Sequence, residues 1–286
     1  MSCSMKRIGT IETIVLVPLF CVIPTAALAQ QSSSTPVTSS TTMDVSTIPQ
    51  APLAWDVSIG GGAALRPTYE GSDRYEGSPV LSANITYRDM ISLGAGGLSA
   101  YWHHDGLRIG AGLTANGGRK DYRVNGLFEQ GDDRLKGLGD IDPTLGVRVF
   151  ATYALGWIQF DGAVTKLTRE SNSGLFANAG VSAPHKLSNR LILTPHLMTT
   201  WANGNYTETH FGITAAQAAD SAFPEFRATA GFMRVAAGVN AAYLVNRHWF
   251  VGVGADVTRL TGAAAQSPIS VSNTNAVVSI ITGYRF

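Results

Sequence analysis

The side chains best suited to chemistry in this sequence are a set of acids with one histidine. Asp132, Asp133, Asp140, Asp142, Glu208 and His210 fall in two stretches with little periodic pattern. A water held between two carboxylates and polarised by an Asp–His pair can attack a peptide bond, so these residues define a hydrolytic hypothesis. Solvation of loop acids explains them equally well, and their spacing does not reproduce a protease pattern, so no catalytic residue is expected. A metal reading of His103-His104 fares no better. Adjacent strand residues point to opposite faces, and the sequence offers no third ligand nearby. The glycine runs Gly60-Gly61-Gly62 and Gly94-Ala95-Gly96-Gly97 lack the strand and helix context of a dinucleotide site and suit wall curvature or close packing instead. Neither a metal nor a cofactor is expected.

The elements that position these groups begin after a processing segment. Lys6 and Arg7 precede an apolar run from Ile14 to Ile23, and Ala27-Leu28-Ala29 supplies a small-x-small cleavage site before Gln30. Residues 1–29 therefore read as a secretory signal peptide. A lipidated Cys21 is disfavoured, because Phe20 stands where a small residue should precede it. Both cysteines, Cys3 and Cys21, leave with this segment, which excludes a disulfide scaffold, a thiolate zinc site and a cysteine nucleophile. Lys6, Arg7 and Glu12 leave too, so the 21 basic and 20 acidic residues of the whole chain become equal in number. That balance argues against a nucleic-acid partner, whose footprint is a basic excess. Residues 30–53, rich in Ser, Thr, Pro and Gln, read as a flexible periplasmic linker.

Residues 54–286 carry a different signal. No segment there reaches the roughly 18 consecutive apolar residues of a membrane-spanning helix, but apolar and polar residues alternate with period two. Trp55, Val57, Ile59, Ala63 and Leu65 oppose Asp56, Ser58 and Arg66. Leu107, Ile109, Ala111 and Leu113 oppose Arg108 and Thr114, and Trp249, Val251, Val253 and Val257 oppose Asp256 and Thr258. Similar segments lie near 79–102, 142–154, 156–166, 174–184, 190–202 and 228–245. Short joins, among them the hairpin signal Asp105-Gly106, alternate with long ones near 66–78, 117–141, 203–227 and 261–272, with a shorter one at 169–173. The last segment puts Ala276, Val278, Ile280, Thr282, Tyr284 and Phe286 on one face and Arg285 on the other.

This pattern predicts an all-β fold: a transmembrane antiparallel barrel with short periplasmic turns and long extracellular loops. Ten strands are counted if 79–102 forms one long kinked strand, and twelve is the alternative. A secreted sandwich is the competing architecture. Against it stand the turn asymmetry and a polar face carrying Asp56, Arg66, Arg108, Arg148, Asp161, Arg234, Asp256 and Arg285, which the barrel reading places in the lumen. There they would act as structural glue or line a narrow channel. Thr214-Ala215-Ala216-Gln217 is a capping box, predicting a short helix from Thr214 to about Asp220 in the fourth long loop.

The long joins also carry a resemblance. Pro67-Thr68-Tyr69-Glu70-Gly71-Ser72-Asp73, then Gly118-Arg119 with Leu135-Lys136-Gly137-Leu138-Gly139-Asp140-Ile141-Asp142, then Phe211-Gly212-Ile213-Thr214 through Gln217 to Ala219, and Ser267-Pro268-Ile269 resemble, in order, the loop motifs of the MltA-interacting protein and OmpV family of Gram-negative outer-membrane proteins. The resemblance implies a non-enzymatic scaffold in the outer membrane that joins a murein transglycosylase to a peptidoglycan synthase. Tyr284 and Phe286 likewise resemble the closing signal that such barrels present to their insertion machinery. The residues themselves suggest loop ordering: Gly71 and Gly137 suit turns with positive φ, and Asp73 and Asp140 can accept from nearby amides. A narrow channel or a surface receptor is the alternative function.

Overall fold

The computed structural model describes residues 54–123, 131–169 and 174–286. The expected signal peptide and linker lie outside the described residues.

Alternation along the chain becomes a closed wall. The strands are β1 (Trp55–Pro67), β2 (Tyr75–Tyr87), β3 (Ile91–Gly94), β4 (Gly97–His104), β5 (Leu107–Asn116), β6 (Thr144–Leu155), β7 (Ile158–Leu167), β8 (Leu175–Ser182), β9 (His185–Lys186), β10 (Leu191–Ala202), β11 (Gly231–Leu244), β12 (Trp249–Leu260) and β13 (Thr274–Arg285). Each pairs antiparallel with its neighbours, and β13 returns to β1 in a register running from Ser58↔Arg285 to Leu65↔Val278. Closure of β13 on β1 removes the two terminal edges, as a lipid environment demands, while between β2 and β5 the ladder runs only through the short β3–β4 hairpin. β8 and β9 are one stave interrupted at Ala183-Pro184, both pairing β10. Proline cannot donate to the ladder there.

Counted this way the wall has twelve staves rather than the preferred ten. The difference lies wholly in the segment read as one kinked strand. Arg88 and Asp89 take φ of 48° and 50°, closing a tight turn in which the amide of Met90 donates to Tyr87 O at 3.0 Å. The chain then reverses again at Ala95-Gly96, where Gly97 adopts φ +97°. The run Gly94-Ala95-Gly96-Gly97 therefore marks a hairpin tip, not curvature. β3 meets β2 only over Ile85–Tyr87, so this hairpin reaches part of the way up the wall.

The apolar face of each strand looks outward. Ile59, Leu81, Leu113, Val149, Leu197, Val257 and Ile280 are each about half exposed or more, and they belong to a lipid-facing belt. An aromatic girdle rings the periplasmic end, with Trp55 against Tyr87 at 4.6 Å, Trp249 against Tyr284 at 5.3 Å and Tyr284 against Phe286 at 5.0 Å between ring centroids. Inward-facing glycines leave room for rings: a Cβ on Gly283 would stand 2.3 Å from the Phe250 ring.

Candidate functional site: a folded roof over a charged lumen

The extracellular loops are not loose. They share one hydrophobic core, in which Tyr69, Leu135, Leu138, Tyr206, Phe211, Ile213, Ala264 and Ile269 pack on Leu167, Phe176, Ala202, Met233 and Leu260 at the tops of five strands. Burial of this many apolar side chains away from the lipid belt makes the loops a second packed layer, lying across the mouth. Three short helices contribute: α1 (Gly204–Phe211), capped by the Asn203 side chain accepting from Tyr206 N; α2 (Ala215–Asp220), which has the expected capping box; and α3 (Gly262–Gln266). A bulge between Thr200 and Trp201 in the β10–β11 pairing accompanies the turn of Met233 into the roof.

Each loop motif is a joint between loops. In the first, which follows Pro67 at the end of β1, Tyr69 donates its hydroxyl to Ile269 O at 3.1 Å. Gly71 takes φ +97°, and its amide donates to Asn275 Oδ1 at 3.2 Å while Asn275 Nδ2 donates to Ser72 O at 2.6 Å. Asp73 pairs with Arg134 at 2.6 Å, and that hydrogen bond holds its carboxyl below the usual carboxylate range. In the second, Arg119 bridges to Ile141 and donates Nη1 to His210 O at 2.8 Å. Its guanidinium is fully enclosed, and desolvation lowers its pKa to about 10 despite Tyr69 and Asp121 nearby. Gly137 has φ +92° and a Cβ there would fall 2.0 Å from Asp220 O, while Gly139 has φ +76°. Both amides donate to Asp121 Oδ2. In the last two motifs Gln217 donates to Leu138 O, Ser267 donates to Phe211 O at 2.6 Å, and Pro268 sits in the turn that follows α3. Gly212 caps α1, its amide donating to Glu208 O at 2.8 Å.

The acids of the hydrolytic hypothesis are dispersed among these joints. Asp132 accepts from Thr68 Oγ1, Arg74 and Arg134 N; Asp133 accepts from Arg123 N; Asp142 pairs with Arg169 at 3.2 Å; Glu208 accepts from Ala228 N. Asp140 accepts from Lys120 at 2.6 Å and from Asp121 N at 3.1 Å; burial would raise its carboxyl, yet these bonds lower it overall. His210 stacks on Tyr206 at 4.1 Å, shares Nδ1 with Tyr206 O at 2.9 Å, and has no carboxylate partner. Burial, with Arg119 and Arg234 adding repulsion, lowers its pKa to about 4. The structure thus does not bring an acid and this histidine together. His103 faces Asp89 at 3.7 Å and His104 faces Asp105 at 3.1 Å, and among the described residues no group of three or more His, Cys, Asp or Glu could hold a metal.

Below the roof the inward charges pair mostly along the wall. Asp56 of β1 takes Arg285 of β13 through both carboxylate oxygens, and Arg66 meets Glu76 of β2 at 3.4 Å. Arg108 lies 3.5 Å from Asp89 and over the Tyr101 ring, Arg148 lies over Phe150, and Asp161 accepts from Thr152 and Gln159. Asp256 accepts from His196 Nε2 at 2.7 Å. Arg234 reaches out of the lumen into the first loop, meeting Glu70 at 2.9 Å with both side chains buried. Sequence reasoning had no entry point to His196, Glu70 or Asn275 as partners. The only available signal was that each polar residue falls on the inward phase of a strand or within a loop motif.

A closed antiparallel wall with an apolar outer belt, an aromatic girdle and a polar interior defines a transmembrane β-barrel of the outer membrane. More narrowly, the chain belongs to the MipA family: residues 59–286 match the model described as MltA-interacting protein MipA. No curated protein matches the chain in sequence. Among solved structures it is similar to an outer-membrane channel from Pseudomonas putida F1, at 9% identity over 86% of this chain and 100% of that one with a TM-score of 0.45. It is also similar to the NanC porin, at 9% identity over 80% and 100% with a TM-score of 0.41, and to OmpT of Vibrio cholerae, at 9% over 81% and 96% with 0.36.

Proposed function

We propose that this barrel is a non-enzymatic scaffold that gathers a murein transglycosylase and a peptidoglycan synthase at the inner side of the outer membrane. The observation that carries the reading is the packed roof: with the loop motifs consumed in joining loops to one another, the surface left for partners is the periplasmic rim. The family description, an MltA-interacting protein, supports the reading by naming a protein partner. The contact surface comprises residues 30–53 and the turns at His104, Asn189 and Arg247. Crosslinking from the periplasmic side followed by pull-down tests it. Deleting residues 30–53 or replacing those turns reduces recovery of a murein hydrolase; unchanged recovery sinks the proposal.

A second reading, a narrow channel, is favoured by the charged lumen, since rings of paired Arg and Asp can line an ion path as well as brace a wall. Planar-bilayer recording separates the two. Stable, large currents support the channel, and their absence supports the scaffold.

A further inference from the structure

The chain has 6 histidines, and four of them, His103, His104, His185 and His248, stand exposed on the periplasmic rim. Three are backed by an aromatic ring of the girdle. His104 stacks on Trp102 at 5.7 Å, His185 lies against Trp157 at 5.0 Å, and His248 stacks on Tyr284 at 5.3 Å. They come from β4, from β9 and from the turn before β12, so they are spread around the circumference rather than gathered in one patch. Arg88, Lys186, Arg190 and Arg247 are exposed at the same level, against the acidic side chains Asp89 and Asp105.

Girdle aromatics mark the depth of the lipid headgroups. An imidazole stacked on such a ring is therefore held where phosphodiesters lie. Imidazole is also the side chain whose charge ordinarily changes between about pH 5 and 8. The neighbouring charges differ by site. His104 faces Asp105, His103 faces Asp89 with Arg108 beyond it, His185 adjoins Lys186, and His248 adjoins Arg247 and donates from Nδ1 to the carbonyl of Arg285, whose side chain is neutralised by Asp56.

We propose that this ring of aromatic-backed histidines, with the four basic side chains between them, is a binding surface for the anionic phospholipids of the inner leaflet, and that its grip tightens on acidification. The partner is a lipid rather than an acidic protein because these histidines rest on girdle aromatics and come from three separated turns, with Arg88 of the β2–β3 turn on the remaining sector. The headgroup layer meets all of these turns at once, with no need of a partner large enough to span them. The inference shares the turns at His104, Asn189 and Arg247 with the scaffold reading, and a lipid assay with no partner protein present tests it separately.

The test uses the full chain reconstituted in phosphatidylethanolamine vesicles containing pyrene-labelled phosphatidylglycerol or, separately, pyrene-labelled phosphatidylcholine, with energy transfer from the rim tryptophans as the readout. Preference for the anionic lipid should rise several-fold between about pH 8 and about pH 5, the interval in which imidazole gains its charge. The triple variant His104→Gln, His185→Gln, His248→Gln should show a flat profile while keeping the heat-modifiable gel mobility of a folded barrel. Equal preference at both pH values, or a rise that survives in the triple variant, overturns the proposal. So does acid-dependent binding of a polyglutamate peptide without any lipid preference, which would assign the rim to an acidic protein.

Discussion

Acidification should open the roof through one residue, His210. Its Nδ1 bonds to the Tyr206 carbonyl, so the proton of the neutral ring sits there and Nε2 carries the lone pair. Nε2 is buried without a partner, and Arg119 and Arg234 lie close enough to oppose a second proton. The pKa is thereby lowered from 6.5 to about 4. Because the closed form disfavours the protonated ring, His210 supports closure fully above the ordinary imidazole value, and that support is lost as pH falls toward about 4. A lowering from 6.5 to about 4 corresponds to about 3 kcal/mol, up to roughly three hundredfold in the opening equilibrium well below pH 4 and about half of that at pH 4. Asp73 and Asp140, whose carboxyls are held below 3.8, lose their contribution only beneath this window. Hydrogen exchange across residues 204–212, corrected for intrinsic rates, provides the assay. Protection should be level from about pH 8 to 6.5 and then fall by up to about a hundredfold by pH 4, and His210→Gln should flatten the curve. A decline equally steep in the glutamine variant, or none in the native chain, would refute the assignment.

Three further perturbations test the same architecture. Gly137→Ala should cost about 1–2 kcal/mol from the left-handed backbone alone, with more from the 2.0 Å approach to Asp220 O, and should expose Arg134 and Lys136 to trypsin. Ser267→Ala leaves the Phe211 carbonyl without its donor and should destabilise the roof by about 1–3 kcal/mol, seen as earlier loss of loop protection while the barrel itself melts unchanged. Replacing Phe286 by Ser removes one ring from the Tyr284 contact; the folded, heat-modifiable fraction in cells should fall, whereas normal assembly would refute a role for this residue in insertion.

Much of the wall was legible because a strand buried on one side by water and on the other by lipid must alternate, and Val251, Val253 and Val257 against Asp256 do so without interruption. Turns were legible where one residue type is obligatory, as at Asp105-Gly106. The count failed at Gly94 to Gly97, since a glycine run is compatible with curvature and with reversal, and only pairing to β2 and β5 decides between them. The capping box announces α2, whereas α1 falls inside a long join with no such signal, and its stability comes from Tyr206 and Phe211 entering a core assembled from residues up to 200 positions apart in sequence. Joint partners such as Glu70 and Arg234 are invisible for the same reason.

The short β3–β4 hairpin leaves the wall with one thin seam. Near the periplasm it links β2 to β5, through residues 85–87 on one side and 107–113 on the other. Above it β2 continues through residues 75–84 and β5 through 114–116, and among the described residues no ladder joins the two. Strands joined by so few hydrogen bonds part more readily than any fully laddered pair of staves. The hairpin is the stitch at the foot of that seam, and its length sets how much of the wall is sewn shut.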